Sequence, residues 1–373
     1  MTLPASPNAI AANQIQNEIF DSGTFGLNEA LNIPFWNGSS YLTPFTSQSN
    51  LSYGALRGLT YAYYVDILLV GGGAGGGFGE EDTDNLDEGG AGGGGGAGQV
   101  RVIGGILCRN NGENLYIKVG GGGGGATNAS TKGGSGNYSS FNEFSVSGIT
   151  RYTASGGGGG GSSSARVGVD GCSAGGAGTK LGAADNINGG SSTCGVDGGG
   201  NSGGTSKPKN DATYAGGGGG ATTAGGNAST GNTKAGVGGD GYNVDNFMGS
   251  ANFRGPGGGV GGGGGGANCG EGTRGFGGYG GGGTGVGDKN KFADPGEANT
   301  GGGGGGGSYN FGRGFEGNNN ADVAQKDGAA GGSGVVVIRY TKTRHGQVAS
   351  GGSVLSNNDY YFHVFYSDGN FTM

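Results

Sequence analysis

The sequence predicts a mostly β and irregular protein: a β-sandwich core with an inserted bundle of polyglycine-II-type helices and little α-helix. Three observations predict it. Glycine supplies 106 of the 373 residues. It falls in unbroken blocks, at Gly92–Gly96, Gly120–Gly125, Gly156–Gly161, Gly216–Gly220, Gly261–Gly266 and Gly301–Gly307. Between the blocks lie short apolar segments of strand length.

The blocks set the physical problem. Ordering a backbone residue costs about 1–2 kcal/mol, glycine most of all, and glycine has no side chain whose burial could offset it. Backbone pairing can. A polyproline-II-type helix has three residues per turn and rises about 3.1 Å per residue, with every N–H and C=O turned outward for a neighbour. Without Cβ atoms such helices pack side by side, joined by N–H···O bonds and weaker Cα–H···O contacts. Collagen's period of one glycine in three is absent, so a sheet-like or hexagonal array is expected instead of a three-chain rope. A disordered low-complexity chain is the alternative for such a composition. The intervening segments argue against it.

Along the chain three zones appear: an N-terminal attachment segment (1–60), a glycine-rich body (61–340) and a C-terminal strand segment packing on the body (341–373). In the first, Asn8 is placed to cap a short helix through Ile10, Ile15, Ile19 and Phe20. Leu27, Leu31, Ile33, Phe35 and Trp36 follow as an apolar set, either a docking patch or a small local core. In the body, Tyr64–Val70 reads as a buried strand, Gln99–Ile103 and Leu115–Val119 as further strands, and β-branched Val335–Tyr340 as a closing strand. Between about 155 and 330 glycine blocks alternate with polar linkers carrying Tyr214, Tyr242, Phe247, Phe253, Phe276, Tyr279, Phe292, Tyr309, Phe311 and Phe315. Phe362–Phe365 lies in a last aromatic strand.

Composition narrows the function. Lys+Arg 20 against Asp+Glu 27 leaves a net charge of −7, which argues against nucleic acid, since phosphate binding needs a basic surface. Charged residues are only 13 %; Asn, Ser and Thr supply the polarity. The first residues lack the charged and apolar regions of a secretory leader, and no apolar stretch approaches the roughly 20 residues of a membrane span. Cys108, Cys172, Cys194 and Cys269 are far apart and form no CxxC, so free thiols in a cytosol-made protein are expected over disulfides.

Catalytic motifs fail on context. Gly71, Gly73 and Gly76 satisfy G-x-G-x-x-G after a strand, but a dinucleotide site needs a helix to open there, and more glycine follows instead. No Gly-Lys dipeptide exists for a P-loop. Of the two histidines, His363 alternates with strand aromatics, and neither has metal-ligand spacing. The acidic group Glu80, Glu81, Asp82, Asp84, Asp87 and Glu88 lacks the spacing of a calcium loop and reads as solvated. No enzyme, cofactor or metal is expected.

The opening Ile10–Ile19 followed by Gly26–Glu29 resembles the starts of tailed-phage virion proteins, notably tail-fibre and baseplate-associated proteins. Val65–Gly73, Tyr116–Val119 running into glycine, Ser139–Asn142, Gly332–Tyr340 and the end at Phe362–Thr372 resemble the glycine-rich domain such proteins carry. The resemblance implies a non-enzymatic virion protein, made in the host cytoplasm and located in the virion tail. Its partners would be other tail or baseplate proteins and a host-surface glycan or protein, with no membrane insertion, and its state a homo-oligomer, by analogy a trimer. On this reading Tyr242, Phe247, Phe253, Phe276 and Tyr279 contact the receptor, since rings on a stiff scaffold give contact area at small entropic cost; otherwise they plug the ends of the glycine array. Ile10, Ile15, Ile19, Phe20, Leu27, Leu31, Phe35 and Trp36 would dock on the virion. The alternative is a purely structural baseplate, neck or capsid-surface protein that binds other virion subunits.

Overall fold

The apolar segments form the strands. The computed structural model describes residues 34–37, 39–42 and 60–373, the last with breaks at 81–88, 110–111, 144–148, 181, 184, 195–198, 210–211, 230, 232, 256, 270–271, 288–291, 310–325 and 343–346. The expected N-terminal helix, with Ile10, Ile15, Ile19, Phe20, Leu27 and Leu31, lies outside the described residues, as do most of the acidic group, Phe311 and Phe315.

Strands β1 (Phe35–Trp36), β2 (Tyr41–Leu42), β3 (Thr60–Val70), β4 (Val100–Arg109), β5 (Asn114–Lys118), β6 (Ser139–Phe141) and β7 (Tyr152–Ala154) precede the long glycine-rich stretch. Short strands β8 (Lys207–Lys209), β9 (Ala212–Tyr214), β10 (Tyr242–Asn243), β11 (Gly259–Val260) and β12 (Asn268–Cys269) lie within that stretch, and β13 (Val335–Thr341), β14 (Ser353–Ser356), β15 (Tyr360–Phe365) and β16 (Gly369–Thr372) close the chain. Among the described residues the pairings between these strands are antiparallel. One sheet runs β14-β15-β13-β3, with β4 on the far side of β3 and the β1–β2 pair joined to the first residues of β3. The second runs β16-β5-β6-β7.

The two sheets form the expected sandwich. Val65, Ile67 and Leu69 of β3 and Val336, Ile338 and Tyr340 of β13 pack with Leu115, Ile117, Phe141 and Phe371 of the second sheet. Leu68 and Val70 of β3, with Val335 and Val337, point to the opposite face. That face is covered too, which is why β3 and β13 read as continuous apolar runs instead of alternating ones. β4 extends beyond the expected Gln99–Ile103, because a bulge opposite Asp66 absorbs Gly104 and Gly105. Gly105 takes φ +74° there, and its N–H donates to Asp66 Oδ1.

His363 sits between the sheets, fully buried. Its Nδ1–H donates to the Gly351 carbonyl at 2.6 Å, and its Nε2 faces the Tyr340 hydroxyl at 3.3 Å. Its ring stacks on Tyr340 and meets Phe371 edge-on. Burial pushes its pKa below the ordinary histidine value, opposed by the Gly351 hydrogen bond. Because the folded chain holds the proton less tightly than the unfolded chain, stability is full above the unfolded pKa of about 6.5 and falls as pH drops through it. We expect the melting temperature to decline between about pH 6.5 and 5, and His363→Gln to flatten that decline. A wild-type melting temperature constant across this window would refute the assignment.

The glycine blocks make the rest of the body. In the run 71–79, the N–H groups of Gly71, Ala74 and Gly77 donate to Gln99, Gly96 and Gly93. Those of Gly72 and Gly75 donate to Asn137 and Gly134, and those of Gly73 and Gly76 to Gly332 and Ala329. Its carbonyls accept in the same rhythm, at 72 and 75 from Gly157 and Gly160, at 73 and 76 from Gly123 and Ala126, and at 74 and 77 from Gly304 and Gly307. Every third residue returns to the same neighbour, which is the signature of three residues per turn. Three neighbours by donation and three by acceptance surround this run, a hexagonal arrangement. Runs 91–99, 214–221, 260–268 and 301–308 repeat the pattern.

Packing at this distance demands glycine wherever a neighbouring backbone stands against the Cβ position. A Cβ on Gly75 would fall 2.0 Å from the Gly124 carbonyl oxygen, and one on Gly264 2.1 Å from that of Gly304. None of the glycines in runs 71–79, 91–99 or 302–307 has a positive φ, so the helices share one hand. Paired donors and acceptors each contribute about 0.5–1.5 kcal/mol net, comparable to the ordering cost per residue. The runs shuttle between two ends. At one they join β3, β4, β5, β7 and β13; at the other they turn in polar loops.

Candidate functional site

The sandwich end is closed by an insertion between two glycine runs. Strand β10 (Tyr242–Asn243) pairs with β11 (Gly259–Val260), and between them stands a one-turn helix, α1 (Asp245–Met248). Asn243 Oδ1 accepts the Asp245 N–H at 2.9 Å and starts the turn. Val244, Phe247, Met248 and Val260 pack on Leu68, Val70, Val337, Phe362 and Val364, the outer face of the first sheet. Arg339 pins the insertion down: its guanidinium bridges to Asp66 at 3.0 Å, lies over the rings of Phe247 (4.3 Å) and Tyr360 (4.6 Å), and donates to the Phe247 carbonyl.

This placement corrects part of the expected receptor set. Phe247 is 2 % exposed, so it is core and out of reach of a receptor. Tyr242 and Phe253 are half-buried against the same cluster, and Phe253 meets Tyr366 edge-on at 5.9 Å. These three rings cover a sheet face that the sequence alone leaves unpartnered. Phe276 and Tyr279 behave differently, at 53 % and 41 % exposed on the flank of the array. Of the docking set, Phe35 and Trp36 form β1 in the first sheet, and Arg109 lies 4.7 Å over the Trp36 ring.

The opposite end is built of turns. Asn128 Oδ1 accepts from the N–H groups of Ser130 and Thr131. Ser162 Oγ accepts from the Phe78 N–H at 2.8 Å and donates to the Thr131 carbonyl at 2.5 Å, tying two turns together. Glu80 accepts from the Ser163 and Ser164 hydroxyls. Strands β8 (Lys207–Lys209) and β9 (Ala212–Tyr214) form a hairpin there, extended by β12 (Asn268–Cys269). Ser130, Lys132, Ser164, Lys180 and Asn186 are exposed at this end. Among the described residues no group of three His, Cys, Asp or Glu side chains is placed to hold a metal ion.

The cysteine expectation is half corrected. Cys172 and Cys194 form a disulfide, their Cα atoms 4.7 Å apart. Runs near 171 and 192 lie side by side, with the Thr193 N–H on the Gly171 carbonyl, and this brings together thiols that are 22 residues apart. Cys108 and Cys269 are buried thiols. Burial pushes the Cys108 thiol up to about 12, so it stays protonated and inert; Cys269 Sγ donates to the Tyr309 carbonyl.

With the geometry in place, comparison with known proteins gives one match. The family model of a glycine-rich domain matches residues 48–341, most of the chain. No curated protein and no solved structure matches.

Proposed function

The chain belongs to the glycine-rich domain family, and we propose that this member is a non-enzymatic tailed-phage virion protein, a tail-fibre or tail-tip component that binds the host surface. The observation that carries the reading is the hexagonal array itself. A scaffold whose interior runs are held on six sides by backbone hydrogen bonds is stiff, and stiffness lowers the entropic cost of presenting loops for recognition. The polar turns at the end remote from the sandwich are the surface such a scaffold presents. Uncharged Ser, Thr and Asn with a few lysines suit hydrogen bonding to glycans or proteins. The sandwich end, with the N-terminal segment, faces the other virion proteins in this reading. The resemblance of the sequence to tail-fibre and baseplate proteins supports the same assignment.

The test is adsorption. Labelled, folded protein incubated with intact host cells is expected to bind saturably and to compete with phage adsorption. Folded protein that does neither would reject host binding and favour a structural baseplate or neck role.

A further inference from the structure

The threefold repeat of the glycine helix has a consequence on the flank of the array. In a run at the edge, one residue in three faces outward with room for a side chain; elsewhere in runs 234–241 and 273–279 the non-glycine residues are Ala235 and Arg274. The neighbouring runs 234–241 and 273–279 are joined at each repeat, the N–H groups of Ala235, Gly238 and Gly241 donating to the carbonyls of Thr273, Phe276 and Tyr279 at 2.9, 2.8 and 2.7 Å. Lys234 and Thr273 pair in parallel, so both runs point the same way. The outward positions therefore form a ladder of three rungs, Lys234 beside Thr273, Val237 beside Phe276, and Asp240 beside Tyr279. All six are exposed. Val237 and Phe276, at 50 % and 53 % exposed, make an apolar centre, and rungs lie about 9 Å apart at three residues of about 3.1 Å rise.

The charges read in opposite senses along this face, positive toward the Lys234 end, where Arg274 also lies 5.7 Å from the Phe276 ring centroid, and negative at Asp240, with the Val237–Phe276 rung midway. Such a pattern is self-complementary. We infer that the face binds a second copy of this chain, about a twofold axis that lies in the face and crosses the runs at the Val237–Phe276 rung. Reversal about that axis sets each Lys234 against Asp240 of the other copy, and Val237 and Phe276 against their own equivalents, an isologous contact. A twofold axis parallel to the runs would set Lys234 against Thr273 and Asp240 against Tyr279, leaving the charges unpaired; the antiparallel arrangement is the one the charges select. The ladder is about 19 Å long, which puts the contact at the small end of specific interfaces and makes the dimer weak and reversible. It is a pairwise contact, distinct from the trimer implied by family analogy and independent of host binding at the far end.

Sedimentation velocity of the full chain over a dilution series tests it. A concentration-dependent monomer–dimer equilibrium is expected. Lys234→Glu or Asp240→Lys should each weaken it about tenfold, since two charge pairs per dimer turn repulsive, and the double variant should return within about threefold of wild type. Phe276→Glu should abolish it. Asp240 Oδ1 also accepts the Tyr279 N–H; if Asp240→Lys lowers the melting temperature, Lys234→Glu and Phe276→Glu decide alone. A wild-type chain monomeric throughout, or a dimer indifferent to Lys234→Glu and Phe276→Glu, overturns the proposal. So does a monomer whose Phe276→Glu variant loses cell adsorption, which would give the face to the receptor.

Discussion

Gly303→Ala is expected to destabilise the protein by about 3 kcal/mol or more, whereas Gly124→Ala in another run of the same array is expected to be neutral or to stabilise by about 0.4–1 kcal/mol. Gly303 lies inside the array. Its N–H donates to Gly262, its carbonyl accepts from Gly283, and an added Cβ would lie 2.0 Å from the Gly95 oxygen and 2.8 Å from the Gly264 nitrogen. Relief requires two runs to move apart by more than an ångström. That breaks neighbouring N–H···O bonds, and each backbone group left buried and unpaired costs about 1–3 kcal/mol. Gly124 faces outward. Nothing lies within 4 Å of its hypothetical Cβ, and its carbonyl still accepts from Gly134. Its φ is not positive, so alanine fits the backbone and reduces the freedom of the unfolded chain. Chemical denaturation of both variants checks the contrast. Equal midpoints would mean that the runs do not pack as described.

The strands were legible because they are buried on one or both faces: Val65, Ile67–Val70, Val335–Ile338 and Tyr340 are all buried. The glycine helices were legible as a type, since nothing else accommodates such blocks. Their arrangement was not, because glycine carries no side-chain pattern from which a neighbour can be read. Gly71, Gly73 and Gly76 illustrate the point. As a motif they suggest a nucleotide loop, yet in the array Gly71 donates to Gln99 of one neighbouring run, while Gly73 and Gly76, one turn apart, donate to Gly332 and Ala329 of another. The disulfide was hidden for the same reason, as the pairing of Cys172 with Cys194 depends on which runs lie together. The aromatic linkers misled through topology. Phe247 stands in a polar stretch of sequence, and only the return of the chain to the outer face of β3 and β13 shows that it is core.

Phe247→Ala is expected to lose about 3–5 kcal/mol, the range for deleting a buried phenyl ring, while Phe276→Ala should change stability by less than about 0.5 kcal/mol. Both rings are linker phenylalanines 29 positions apart (276 − 247), so the contrast rests on placement alone. Phe247 contacts the cluster of Leu68, Val70, Val335, Val337 and Phe362, and Arg339 lies over its ring. Truncation opens a cavity beneath α1 and removes the face on which Arg339 rests, leaving that guanidinium with Asp66 and Tyr360. Phe276 is more than half exposed and has Arg274 5.7 Å from its ring centroid, a surface contact of small value. Guanidinium unfolding should show a lower midpoint for Phe247→Ala at unchanged slope, and a midpoint for Phe276→Ala that overlays wild type. The same pair separates two explanations of lost adsorption. If Phe247→Ala binds cells poorly, its melting temperature will have fallen with it, whereas a Phe276→Ala chain that binds poorly at full stability would mark a direct contact. Small and equal stability changes in the two variants would remove Phe247 from the core and reopen the sandwich end as a recognition surface.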